Sequence, residues 1–204
     1  QRLHRMGVLT AVLLNEGILY DEGEMKFNAC KFHNKAHIDY YYCWNEPHRN
    51  ALLAEGIGKH TAIEVVGVPR FDYYQRPWSR LYEHELVGGR RRKRILCCTN
   101  FVTAKYWTLP KEEGDKFYAA WVGRIPAHND YWAAIESHYN NRARLLKSMD
   151  LLLSRTDHDL VIRAHPNEDW APYRKWYAAL NPAVRSRVTL DLGTSVITQI
   201  LACD

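Results

Sequence analysis

A chain of 204 residues has room for one large domain or two small ones. With 47% hydrophobic and 25% charged residues it is globular and able to bury a core, which excludes a disordered or fibrous class. A net charge of +5 is mild: it suits a phosphate-bearing small ligand or an anionic membrane surface as well as nucleic acid.

In chain order, Gln1 to Met6 reads as the tail of a helix stopped by Gly7, and Val8 to Leu14 as a buried parallel strand. That strand ends at Asn15-Glu16-Gly17, and Asp21-Glu22-Gly23 follows six residues later. Lys26 to His37 is mixed and basic and carries no assignment. Ile38 to Trp44 is β-rich, and Asn45-Glu46-Pro47 opens a helix over about 47–55, with proline suited to a first turn. Ala62 to Val66 is a third strand, running into Gly67-Val68-Pro69-Arg70-Phe71-Asp72, after which 73–86 is expected to be helical. Gly88-Gly89 followed by Arg90 to Arg94 is a composition break. It divides the chain into an N-terminal unit over 1–89, a basic linker over 90–94 and a C-terminal unit over 95–204.

In the second unit, Ile95 to Thr99 is a strand ending at Asn100-Phe101. Tyr106 to Ile125 is aromatic-rich and irregular, in the manner of an insertion. Asn129 to Ser154 is one long helix with Trp132, Ile135, Leu145, Met149, Leu152 and Leu153 available for its apolar face. Leu160 to Ile162 is a strand that breaks at His165-Pro166. A helix follows over about 169–180, ended by Asn181-Pro182; Val188 to Leu190 is a further strand and 195–202 a further helix. Strand and helix alternate throughout, so each half reads as a Rossmann-like parallel sheet. The start at Gln1 and the stop at Cys203-Asp204 lead to the expectation of an interior piece of a longer protein, incomplete at both ends. Without an 18-residue apolar segment or a signal peptide, neither a membrane span nor export is expected. The five cysteines are odd in number and form no CxxC pair, against a disulfide framework or a zinc ribbon. Cys97 and Cys98 sit in an apolar run and are expected as reduced core residues, which favours the cytosol.

The segment Asp159 to Asp169, DLVIRAHPNED, concentrates the candidate chemistry. In open α/β sheets a buried strand ending in a polar loop before a helix N-terminus is where ligands bind, and the helix N-terminus favours an anion. His165 would add a ring donor and Arg163 a positive charge; the bland account is an ordinary loop histidine with a helix-starting proline. Glu168 and Asn100 lie at the same strand ends. Glu16, at the rim of the first strand, is placed for general acid or base work, or is a solvated loop glutamate. Asn15, Asp21 and Glu22 share that polar composition. Arg70 suits a carboxylate or phosphate, and Asp72 a nucleophile or simply a helix cap. The Arg90 to Arg94 run fits an anionic surface or, more commonly, a solvated linker. Without base-stacking spacing, helix-turn-helix or zinc spacing, nucleic acid is discounted. His33 and His37 are four apart with no evident carboxylate partner, so no metal site is expected.

The ordered set of Asn15 to Gly17, IDYYYCWNE (Ile38 to Glu46), EVVGVPRFD (Glu64 to Asp72), ILCCTNF (Ile95 to Phe101) and VIRAHPNED (Val161 to Asp169) resembles the bacterial surface-carbohydrate biosynthesis proteins. These are similar to the retaining β-Kdo transferases of capsule and lipopolysaccharide assembly. The resemblance implies a GT-B-type architecture, two Rossmann-like domains facing a cleft. It also implies a nucleotide-sugar donor, CMP-linked and carrying an acidic sugar, a glycan or glycolipid acceptor and no cofactor. The setting it implies is cytoplasmic, at the inner face of a membrane. Glu16 would then be the catalytic carboxylate, Asp72 the nucleophile of a double displacement, His165 the contact to the donor phosphate, and Arg70 and Arg163 the holders of its carboxylate or phosphate. The chain departs from that pattern with Asn-Glu-Gly in place of two acids and a glycine, and with Val68 where the family has asparagine. A CDP-glycerol-type polyol-phosphate transferase, and a non-catalytic binding subunit of a surface-polymer assembly complex, are the alternatives.

Overall fold

The structure is a computed structural model, and it describes residues 2–14, 23, 25–27, 37–85, 92–191, 193 and 195–204. The chain is mixed α/β and contains two three-stranded parallel sheets. Its compact units are Gln1–Phe71 with Ala120–Asn129, and Asp72–Ala119 with Asp130–Asp204. The basic run proposed as a linker starts later than Phe71, and its Arg90 and Arg91 lie outside the described residues.

In the first unit a short helix α1 (Arg2–Arg5) ends at Gly7, whose φ of 71° is the left-handed value that glycine adopts without strain. Strand β1 (Ala11–Leu13) pairs in parallel with β2 (Tyr40–Cys43), and β2 with β3 (Ala62–Val65). The expectation of a long buried first strand is corrected. β1 has three residues and lies at the sheet edge, and Val8, Leu9 and Leu13 are exposed, because only one neighbouring strand covers it. β2 is central and supplies the core: Tyr41 and Cys43 pack with Ile38, Leu52 and Ile57. Helix α2 (Glu46–Ala54) starts where its sequence signals place it. Asn45 is the N-cap, its side-chain oxygen accepting from the His48 amide at 3.0 Å, and Pro47 stands in the first turn.

Residues 69–74 and 78–85 form 3-10 turns rather than the expected helix. In the second unit β4 (Arg94–Cys98) pairs in parallel with β5 (Asp159–Arg163), and β5 with β6 (Val188–Leu190). β5 is central, which explains its unbroken apolar run: Leu160, Val161 and Ile162 are all buried. The aromatic stretch after β4 is more regular than its composition suggests. It holds a 3-10 turn (Ala104–Thr108) and a helix α3 (Lys111–Tyr118), and the Tyr118 ring stacks on Tyr131. Helix α4 (Tyr131–Arg155) runs for 25 residues from an Asp130 N-cap. Its Met149 and Leu153 join Leu160, Ile162, Ala164, Tyr173 and Val188 in one core. α5 (Ala171–Ala179), α6 (Pro182–Arg185) and α7 (Val196–Leu201) complete the unit. Cys97 packs, partly buried, against the core of this unit as its apolar run suggests, whereas Cys98 is exposed; among the described cysteines Cys43 is the buried one. Among the described residues no helix is long and apolar enough to cross a membrane.

Candidate functional site

The C-terminal edge of the β4–β5–β6 sheet gathers polar side chains from all three strand ends. β4 continues past Cys98 by one ladder bond, Thr99 N donating to the Arg163 carbonyl at 3.0 Å. This sets Thr99 beside the turn that follows β5. There Glu168 is buried and accepts from Thr99 Oγ1 at 2.7 Å, Tyr173 Oη at 2.7 Å and the His165 amide at 3.1 Å. Its own amide donates back to the His165 carbonyl at 2.9 Å, closing the turn. A buried carboxylate is tolerated only when its lone pairs are satisfied, and three donors from three segments meet that condition here. Burial pushes the Tyr173 phenol up, so it stays a donor. Glu168 therefore does not open the following helix, as its acidic neighbourhood suggests; it fixes the loop that carries His165.

His165 is half-buried, and its Nδ1 accepts from the Asn167 amide at 3.2 Å. While that bond stands, the neutral ring carries its proton on Nε2, a donor suited to an anionic oxygen. Arg163 Nη1 donates to Asp191 Oδ2 at 2.8 Å, and the Gly193 amide donates to Asp191 Oδ1 at 3.1 Å. The Asp191 carboxylate thus spans the β5 and β6 ends. Asn100 is exposed directly after Thr99. The Cys98 thiol at this edge is pushed up by desolvation, against the pull of Arg163, and is a poor nucleophile at neutral pH.

Beside this edge a groove of about 460 Å³ runs between α4 and α5. Tyr139, Arg142, Ala143 and Leu146 line one wall, and Asp169, Ala171, Pro172 and Lys175 the other. Arg142 is buried, and its Nη1 has no hydrogen-bond partner among the described residues. The guanidinium lies over the Tyr139 ring, 5.9 Å from its centroid. A desolvated N–H without an acceptor is costly, and an anion entering the groove would relieve that cost. The volume is that of a small-molecule site.

Asp72 is exposed inside the Pro69–Tyr74 turn. Arg70 is exposed with its guanidinium 5.1 Å from the Trp44 ring centroid, a cation–π contact. Asn15, Glu16, Asp21 and Glu22 lie outside the described residues. Sequence reasoning did not single out Thr99, Asp191, Tyr173 or Arg142. For Arg142 a signal existed: Ile135, Arg142 and Met149 recur every seven residues and are all buried, so the arginine sits on the apolar stripe of α4. Thr99 and Tyr173 carry no such signal, since their role is set by Glu168, 69 and 5 residues away respectively. No family model, curated protein or solved structure matches this chain.

Proposed function

We propose that this protein is a glycosyltransferase of cell-surface polysaccharide synthesis. In this reading it transfers an acidic sugar such as Kdo from a CMP-linked donor, with retention, to a glycan or glycolipid at the cytoplasmic face of a membrane. The observation that carries the proposal is the strand-end corner of the second unit. It presents a positioned His165, an Arg163 set at the sheet edge and, alongside, a groove lined by the buried Arg142, whose Nη1 has no hydrogen-bond partner among the described residues. That is a place for the anionic part of a donor. Both sheets run in sequential parallel order, which is the order of one half of a nucleotide-binding doubly wound fold and supports the Rossmann-like, GT-B-type reading. The resemblance of the ordered segments supplies the sugar chemistry, with Glu16 as acid or base and Asp72 as nucleophile.

A non-catalytic nucleotide-binding role is the second reading. It is favoured by the engagement of both buried carboxylates at this edge, Glu168 with three donors and Asp191 with Arg163. Thermal protection by CMP, with UDP, GDP and a CDP-alcohol as controls, tests the proposal. A ligand at about a hundred times its dissociation constant stabilises by about 2.7 kcal/mol. Selective protection by CMP that disappears in His165→Ala supports the donor site. Turnover of CMP-Kdo that depends on Glu16 and Asp72 then separates a transferase from a binding subunit. Protection by the CDP-alcohol alone transfers the assignment to a polyol-phosphate transferase, and protection by no nucleotide overturns it.

A further inference from the structure

The first unit carries a second cluster, at the opposite, N-terminal edge of its sheet. Thr10 immediately precedes β1 and Asp39 immediately precedes β2. Asp39 Oδ2 is held from that side, accepting from the Thr10 amide at 2.7 Å and from Thr10 Oγ1 at 2.9 Å. The same Thr10 hydroxyl lies 2.8 Å from the His37 carbonyl, tying both segments to β1. The other carboxylate oxygen, Oδ1, faces two imidazoles: His37 Nε2 at 3.1 Å and His4 Nδ1, from α1, at 3.9 Å. All three candidate donor atoms lie within 4.8 Å of one another. The carboxylate partner of His37 is thus Asp39, two residues along the chain.

We propose that His4 Nδ1, His37 Nε2 and Asp39 Oδ1 form a binding site for a first-row divalent metal ion of the zinc class. Three arguments carry this. The first is spacing. Bonds of about 2.0–2.1 Å in a tetrahedral shell put neighbouring donors about 3.3–3.4 Å apart; the two separations from Asp39 Oδ1 are 3.1 and 3.9 Å, and the two imidazoles are within 4.8 Å of each other, so a small turn of the exposed His4 side chain closes the shell. The second is the supporting shell. A metal-binding carboxylate is usually fixed by hydrogen bonds on its other oxygen, and the Thr10 amide does this, with the single Thr10 hydroxyl proton shared between Asp39 Oδ2 and the His37 carbonyl. The third is what a bland ion pair leaves unexplained. A hydrogen bond to Asp39 accounts for His37, but His4 stands too far from Oδ1 for one, with its ring centroid 3.9 Å from that of His37. Imidazole nitrogens with one carboxylate oxygen select zinc and its neighbours over calcium or magnesium. With three protein ligands, the fourth position falls to water. The effect is to pin α1, which has no buried residue of its own, to the sheet edge.

The test is titration of the full chain, free of any affinity tag, with Zn²⁺ by calorimetry and with Co²⁺ by visible absorption. The expected result is one high-affinity equivalent, with tetrahedral Co²⁺ bands and no sulfur-to-metal charge-transfer band. Affinity should fall at least tenfold in His4→Ala and in Asp39→Asn. His4 is more than half exposed, so its replacement leaves the fold intact, which a circular dichroism spectrum identical to the parent would establish. Thr10→Val, which removes one hydroxyl from the supporting shell, should weaken binding less than loss of a ligand. Undiminished affinity in His4→Ala, a thiolate band in the Co²⁺ complex, or absence of binding by the parent chain would each overturn the proposal.

Discussion

Replacing Glu168 by alanine probes the corner where the ligand loop of the second unit is anchored. The carboxylate is 6% exposed and takes three hydrogen bonds. Its removal leaves three donors, but Thr99 Oγ1 and Tyr173 Oη already stand 3.0 Å apart and would pair with each other. Two donors are then left short, the His165 amide and one hydroxyl. Each buried orphan costs about 1–3 kcal/mol, so Glu168→Ala should destabilise by about 2–6 kcal/mol. In a chain of 204 residues that lowers Tm by several degrees or more, at about 2–4 °C per kcal/mol. Tyr173→Phe, which removes one donor and leaves two on the carboxylate, should cost about 1 kcal/mol. Urea denaturation of parent, single mutants and the Glu168→Ala/Thr99→Ala double mutant measures these terms and their coupling. A loss below about 1 kcal/mol for Glu168→Ala, or strict additivity with Thr99→Ala, would refute the view that this carboxylate holds the loop.

Burial lowers the His48 pKa, and neither of its ring nitrogens has a hydrogen-bond partner among the described residues. The unfolded chain therefore binds a proton there that the folded chain refuses, and stability falls as pH drops below the unfolded value of about 6.5. Denaturation midpoints at pH 7.5 and 5.5 should converge in His48→Leu. Arg142→Met removes a buried guanidinium whose Nη1 has no hydrogen-bond partner among the described residues and fills its volume with an apolar chain. Chemical denaturation should show equal or higher stability, and a loss above about 2 kcal/mol would contradict the account. Asn45→Ala deletes the N-cap of α2 and should cost about 1 kcal/mol, measured the same way. Burial pushes the Cys43 thiol up to about 11 and shields it, so in the native state a thiol reagent in excess should modify the exposed Cys98, slowly at neutral pH because that thiol is pushed up too, and leave Cys43 protected until unfolding, as mass mapping would report.

Much of the local structure is written in short-range pattern. The apolar runs at Leu160 to Ile162 and at Tyr40 to Cys43 mark central strands because a parallel strand is covered on both sides. Asn45-Glu46-Pro47 marks a helix start because the orphan amides of a first turn need an acceptor and tolerate proline. The same rules fail where the outcome depends on distant neighbours. Val8 to Leu14 has the composition of a central strand, but an edge position leaves it short and exposed. Residues 73–86 have helical composition and settle into 3-10 turns. His165 and Arg163 were legible as candidates because a strand end followed by proline is a local event. What Glu168 does was not, since its acidic character says only that it prefers water or donors, and Thr99 and Tyr173 come to it through the packing of β4 and α5. The same holds for Asp39, whose carboxylate meets His4 and Thr10 only because β1 and β2 lie side by side. Composition and periodicity determine which segments become strands and helices, because those depend on neighbours within a turn or a pleat. Only the tertiary structure decides which polar groups are desolvated together, because that depends on segments tens of residues apart sharing one sheet edge.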